Sequence, residues 1–404
     1  MNLHNHPCWK NACILSGLEQ GHMAAASGLI SFAQGTVSNR VIDTAGIREA
    51  MQCVAKASGT ELFRQNAPEG YLPLRELLAE RMRAKGIPVD ASALVLTSNL
   101  QHTLMTIAAA VLAPGDRVLV ETPSPPSSVD TLTRAGAHVV PVPVDRDGVM
   151  LDQLEFALAR HRPALLCITP NFANPTGFVT SLRKRKQILQ LAVAYDCFVL
   201  EDDGYAELYF HESPPPPLIS LANDVERRQV IYASSLESLF PQTLRLGWFV
   251  ADASLLRHAT RRFRSADFAS HLTQLVAYHY LNTGRFEVAL GRIRRHYHAK
   301  AAAMLRILRR ELRDLIVDTN PLQGGMFAWG SLPDCDTAKL LDQSAPRGVI
   351  FAPGALFYPE HVVSQKIRLS FGGTGNDQMT EGIRRIARTM TESIDTRLVT
   401  LQQR

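Results

Sequence analysis

The sequence predicts an α/β fold: a large, mostly parallel sheet covered by helices, with a smaller α+β domain after it. Three observations carry that prediction. Between residues ~93 and ~250, short apolar runs alternate with amphipathic stretches, the pattern of strands joined by helical crossovers. The runs are continuous rather than polar–apolar alternating, as in strands covered on both faces. The last ~90 residues abandon that alternation and mix strands with helices.

In chain order, residues 1–45 contain few periodic segments and are expected to form an N-terminal arm and part of the small domain. Residues ~46–86 read as helices broken at Pro68-Glu69-Gly70. The strand candidates are Leu94-Val95-Leu96, Val118-Leu119-Val120, Val139-Val140-Pro141-Val142, Leu165-Leu166-Cys167-Ile168, Phe198-Val199-Leu200 and Val230-Ile231-Tyr232. The stretch from ~251 to ~315 is helical and basic, read as one long connecting helix followed by another. Gly325-Met326-Phe327-Ala328-Trp329 and Ile367-Arg368-Leu369-Ser370-Phe371 are strand candidates of the small domain. The expected division is 46–285 for the large domain and 286–404 for the C-terminal small domain. Pro214 to Pro217 is expected to be a rigid surface connection.

Composition narrows the function classes. The chain has 404 residues, 46% hydrophobic and 20% charged, ordinary for a globular protein. Its formal charge of +5 is dispersed. The densest run, Arg183-Lys184-Arg185-Lys186, reads as a solvated helix face rather than a nucleic-acid site. Six cysteines, Cys8, Cys13, Cys53, Cys167, Cys197 and Cys335, form neither a CxxC pair nor a His/Cys cluster with metal spacing. No metal site is expected, and reduced thiols point to a cytoplasmic protein. There is no secretory-type leader and no run of about 18 apolar residues, so neither export nor a membrane span is expected.

Eight segments, in order, resemble one family. They are Pro68-Glu69-Gly70-Tyr71-Leu72-Pro73-Leu74-Arg75, Leu96-Thr97-Ser98-Asn99-Leu100-Gln101, Thr169-Pro170-Asn171-Phe172-Ala173-Asn174-Pro175-Thr176-Gly177, Glu201-Asp202-Asp203-Gly204-Tyr205, Arg245-Leu246-Gly247-Trp248, Gly324-Gly325-Met326-Phe327, Ala352-Pro353-Gly354 and Ile367-Arg368-Leu369-Ser370-Phe371. Together they resemble the class I/II aminotransferases over residues ~28–390, and in particular the 2-aminoadipate aminotransferase and MocR effector-domain type. A MocR regulator would add an N-terminal winged helix-turn-helix, which is not expected here. The resemblance implies the fold-type-I architecture, aspartate aminotransferase-like, with a seven-stranded, mostly parallel sheet. It also implies pyridoxal phosphate (PLP) chemistry on amino acids and a homodimer.

Carried over residue by residue, Asp202 matches the acid opposite the cofactor's pyridine nitrogen, which keeps the ring electron-accepting. Tyr205 and Asn174 match partners of the ring hydroxyl. Ser235 and Arg245 match phosphate partners. Arg368 matches the arginine that takes the substrate's α-carboxylate, a task suited to a planar charged fork. Each also has a bland reading: Asp202 as a helix cap, Arg245 beside a structural carboxylate, Arg368 beside an acid such as Glu201.

The decisive departure lies in Val230–Arg245. Relatives read like VIYxGSFSKTLxPxLR, and here Ser238 stands at the lysine. No lysine occurs between Lys186 and Lys300. A serine hydroxyl forms no imine and is a poor proton shuttle at neutral pH. Other positions have drifted. Gln65 replaces a tyrosine, Asn99 and Leu100 replace small residues of the phosphate loop, Pro125 replaces a ring-stacking aromatic, and Glu237 adds negative charge beside the phosphate site if it points inward. Lys366, two residues before Arg368 and so on the same strand face, and His102 are candidate replacement groups; a solvated strand end and a surface histidine are their bland alternatives. Three functions therefore stay open. One is a remodelled enzyme acting on an amino-acid-like molecule, with no covalent cofactor and with PLP or its amine form as a loose ligand at most. The second is a non-catalytic pseudoenzyme or partner subunit of an active homologue. The third is a conventional aminotransferase with a substitute lysine. Nucleic-acid and membrane partners are not expected.

Overall fold

A computed structural model describes residues 28–402 apart from 36, 39, 58, 64–66, 242, 262–268, 317 and 361. Gln65 lies outside the described residues. The chain divides into two compact units. The larger holds residues 39–173 and 178–294, and the smaller holds the residues up to Ser38, Asn174–Gly177, and Arg295 onward.

The larger unit is built on a mixed sheet. Its strands are β1 (Leu94–Thr97), β2 (Arg117–Thr122), β3 (His138–Asp145), β4 (Leu165–Ile168), β5 (Phe198–Asp202), β6 (Val230–Ser235) and β7 (Gly247–Val250), with a two-residue strand Gly148–Val149 at one edge. The order is β1-β7-β6-β5-β4-β2-β3 and then Gly148–Val149. Strands β6, β5, β4, β2 and β3 run parallel; β7 is antiparallel to both β6 and β1. The seven expected strands are thus present with a short eighth. The strand missing from the sequence reading is β7: Gly-Trp-Phe-Val is short and follows a loop rather than a helix, so no crossover announces it.

One face of the sheet packs against helices Leu100–Val111 and Ala253–Arg261. Val95, Val120, Ile231, Ala233 and Phe249 meet Leu104, Ile107, Leu255 and Leu256 in a single buried cluster. Each such side chain contributes about 1.5–3 kcal/mol when fully buried. Gly247 is required by close approach: a Cβ there would lie 2.8 Å from Thr97 Oγ1 and from the Asn99 carbonyl carbon. That contact sets β7 against the loop that opens Leu100–Val111.

The charge run at 183–186 corrects its sequence reading. It does begin a helix, Leu182–Ala194, but Lys184 and Arg185 are only 3% and 0% exposed. Lys184 pairs with Asp145 and Asp147. Arg185 donates to the carbonyls of Pro170, Thr180 and Pro216 and to Asn171 Oδ1. A charge this deep persists because every donor has an acceptor.

The smaller unit contains an antiparallel sheet of β8 (Phe327–Ser331), β10 (Lys366–Ser370) and β9 (Ala352–Pro353), with β10 central. Ile30–Ser31 pairs in parallel with Val349–Ile350. Helices Thr337–Ser344 and Asn376–Gln402 belong to this unit. Among the described residues, no helix is long and apolar enough to cross a membrane.

Candidate functional site

In the larger unit, the predicted residues gather at the carboxyl ends of β5 and β6 and at the start of helix Leu100–Val111, where ligands of open α/β sheets bind. Three successive acids close β5, and the strand period sends them to different faces. The Glu201 carboxylate accepts the Leu218 and Ile219 N–H groups, 2.7 and 3.1 Å, with Arg185 at 4.0 Å. Asp203 accepts from Asn171 Nδ2 at 2.6 Å and the Tyr232 hydroxyl at 2.9 Å. Glu201 is therefore a partner of Arg185. Asp202, turned the other way, accepts the Gly204 N–H at 3.1 Å and caps no helix. Burial pushes its carboxyl up to about 7, with Asp203 and Glu237 adding, against the Gly204 N–H.

Four groups surround Gly204. A Cβ built there would lie 3.4 Å from Asp202 Oδ1, 3.4 Å from Leu100 Cδ2 and 3.9 Å from Ser235 Oγ. Ser238, 7% exposed, donates its hydroxyl to the Gly204 carbonyl at 2.9 Å. Ser235 Oγ accepts the Glu237 N–H at 3.4 Å. Glu237 points inward: its Oε2 accepts the Leu100 N–H at 3.3 Å. Burial raises its carboxyl and the field of Arg245 opposes the rise. Arg245 itself is exposed and Tyr205 is half-buried in the turn after β5. The Asn99 side chain caps the helix, accepting the His102 N–H at 2.7 Å. His102 Nδ1 accepts the Ser98 N–H at 3.1 Å, so this nitrogen is an acceptor inside the loop.

In the smaller unit, the middle strand carries Arg368, paired in register with Trp329 on one side and Ala352 on the other. It is 9% exposed. Its Nη1 donates to Asn174 Oδ1 at 2.8 Å, and its Nη2 donates to the Ala33 carbonyl. The guanidinium lies 4.4 Å from the Phe327 ring centroid and 4.9 Å from that of Phe357. Lys366, at the head of the strand, pairs with Asp318 at 3.8 Å. The Ala33 carbonyl and the Phe357 ring escaped the sequence reading; both come from segments without a motif of their own. Phe327 was visible only as the last residue of the Gly-Gly-Met-Phe segment.

A mostly parallel sheet with an acid at one strand end in the larger unit, and a small sheet centred on a buried arginine in the smaller unit, define a fold-type-I transferase. The profile described as "Aminotransferase class I and II" matches residues 27–386. The chain is 32% identical to a 2-aminoadipate transaminase of Thermus thermophilus over 364 residues, 90% of each protein. The solved α-aminoadipate aminotransferase of Thermus thermophilus, complexed with N-(5'-phosphopyridoxyl)-L-leucine, matches with a TM-score of 0.85 and 32% identity over 92% of this chain and 94% of that one. The kynurenine aminotransferase of Pyrococcus horikoshii matches with a TM-score of 0.87 and 28% identity over 94% of each chain. The chain belongs to the class I and II aminotransferases.

Proposed function

We propose that this chain binds and acts on an amino-acid-like molecule through Arg368 and Asn174, and does so without an internal Schiff base to PLP. The carrying observation is the Ser238 hydroxyl, donated to the Gly204 carbonyl in a segment with no lysine from 187 to 299. No amine in that segment can condense with an aldehyde.

The residues present do not fit a covalently held phosphorylated cofactor. A cofactor phosphate at a helix N-terminus needs free first-turn amides. Here the Leu100 N–H already serves Glu237, and the Leu100 side chain stands beside Asp202 and Ser235. The arginine at Arg368 is kept, which supports a ligand with a carboxylate group. The names of the relatives, a 2-aminoadipate transaminase and a kynurenine aminotransferase, support an amino or keto acid. A homodimer in the cytoplasm is part of this reading.

An absorption titration of the purified full-length protein tests it. With PLP added, no visible band should become fixed to the chain by borohydride. Saturable, dialysable binding of PLP or its amine form agrees with a loosely held ligand. A band that borohydride attaches to the chain means that another lysine substitutes, and the reading is wrong.

A further inference from the structure

The sheet of the larger unit has a second face, away from the buried cluster. Ala233 and Phe249 point into the core, whereas Tyr232, Ser234 and Trp248 point the other way, with Ser234 and Trp248 paired in register. Over that face, helix Leu72–Ala84 and the 206–217 segment enclose a cavity of 380 Å³. All of its lining residues belong to the larger unit. The volume suits a small organic ligand.

The head of the cavity is cationic. Arg294 donates Nη2 to Glu207 Oε2 at 2.8 Å and Nε to the Glu207 carbonyl at 2.7 Å. Arg81 Nη2 lies 3.4 Å from Glu207 Oε1, and the Lys85 ammonium is on the same oxygen. Arg81 also reaches Glu287. Among the charged residues that line the cavity, three cations, Arg81, Lys85 and Arg294, face two carboxylates, Glu207 and Asp203. Burial, with Arg81 and Arg294 adding and Asp203 opposing, pushes the Lys85 ammonium down to about 7.

Trp248, 7% exposed, also lines the cavity. The opposite wall is apolar and rigid: Pro214 to Pro217 and Met82 line it. Proline fixes the backbone, and the segment is tied from behind by Arg185 to the Pro216 carbonyl at 3.3 Å and by the Leu218 N–H to Glu201 at 2.7 Å. Tyr209, under the Arg294 guanidinium at 3.8 Å, completes an aromatic side.

We propose that this cavity is a second ligand site, distinct from that of Arg368, for a small carboxylate with an apolar, preferably aromatic, body. The carboxylate meets Arg81, Lys85 and Arg294, and the body lies against the prolines and Met82.

Calorimetric titration of the full-length protein with benzoate, and with its neutral isostere benzamide, tests the site. Benzoate should bind saturably, with benzamide weaker by about 10-fold or more, the scale of a charge-assisted hydrogen bond. Lys85→Gln, at the exposed end of its helix, should weaken benzoate about 10-fold with an unchanged melting temperature. Arg368→Ala should leave benzoate binding unchanged. Absence of saturable heat overturns the proposal, as does equal affinity for benzoate and benzamide. Loss of binding in Arg368→Ala with none in Lys85→Gln also overturns it, because the probe would then be reading the other site.

Discussion

The surroundings of Arg368 and those of Ser238 treat an anion in opposite ways. In the smaller unit, Arg368 meets the Asn174 side-chain oxygen, the Ala33 carbonyl and the faces of Phe327 and Phe357, which hold the guanidinium in one geometry. In the larger unit, the chain supplies its own anion. Glu237 takes the Leu100 N–H, and the Ser238 hydroxyl is spent on the Gly204 carbonyl. On the proposed function, the carboxylate receptor and the cofactor receptor of this fold are physically separable: one keeps its form while the other is filled from within.

The largest expected effect sharpens the first half of that contrast. Arg368→Ala should weaken binding of L-2-aminoadipate about 100-fold or more, since losing one partner of a buried charged hydrogen-bond pair costs about 2–5 kcal/mol. Arg368→Lys should recover only part of it, because an ammonium lacks the planar fork. Calorimetry checks both, and wild-type affinity in the alanine variant would remove the carboxylate reading. Next comes the second half. Glu237→Gln removes a negative charge from beside the Leu100 amide, so PLP affinity should rise about 10-fold, on the order of 1–2 kcal/mol for one like charge at short range near a surface. Unchanged affinity would mean that Glu237 does not occupy the anion position. Ser238→Lys in the Glu237→Gln background should then give a band that borohydride fixes to the chain; its absence would show that more than charge and amine have been lost.

A smaller effect concerns pH. The folded-state carboxyl of Asp202 titrates near 7, above its unfolded value. Between about 4 and 7 the folded state therefore holds a proton that the unfolded state releases, and stability falls as pH rises through that window. Asp202→Asn removes this contribution. Urea unfolding at pH 5 and at pH 7.5 should show a smaller difference in the variant than in the parent. The difference should not vanish, because burial also raises Glu121 to about 7 and Glu201 to about 8. An identical difference in both proteins would place the Asp202 proton elsewhere.

What was legible in the sequence is what local pattern controls. The apolar runs marked the parallel strands, and Thr-Pro-x-x-x-Asn-Pro-Thr-Gly and Glu-Asp-Asp-Gly-Tyr marked the loops that carry Asn174 and Asp202. What was not legible depends on distant chain. Arg185 looked solvated because nothing within its helix shows that Asn171 and the Pro170, Thr180 and Pro216 carbonyls will enclose it. The sequence left Glu237 facing either way; its direction follows from β7, which Gly247 lets approach the Asn99 loop. The cationic cavity joins residues as far apart as Arg81, Glu207 and Arg294, a juxtaposition with no one-dimensional trace.

The smallest expected effect tests the residue on which the contrast turns. If Ser238 is a structural hydroxyl, Ser238→Ala removes one neutral hydrogen bond and leaves the Gly204 carbonyl to find another donor. That should cost about 1 kcal/mol of stability and lower the urea midpoint slightly. Affinity for L-2-aminoadipate should stay within about twofold, because the hydroxyl is donated to backbone and not offered to a ligand. A variant with parental stability but lost ligand affinity or turnover would give the opposite result. The Ser238 hydroxyl would then leave Gly204 when ligand binds, and the cofactor half of the fold would have been re-equipped rather than closed.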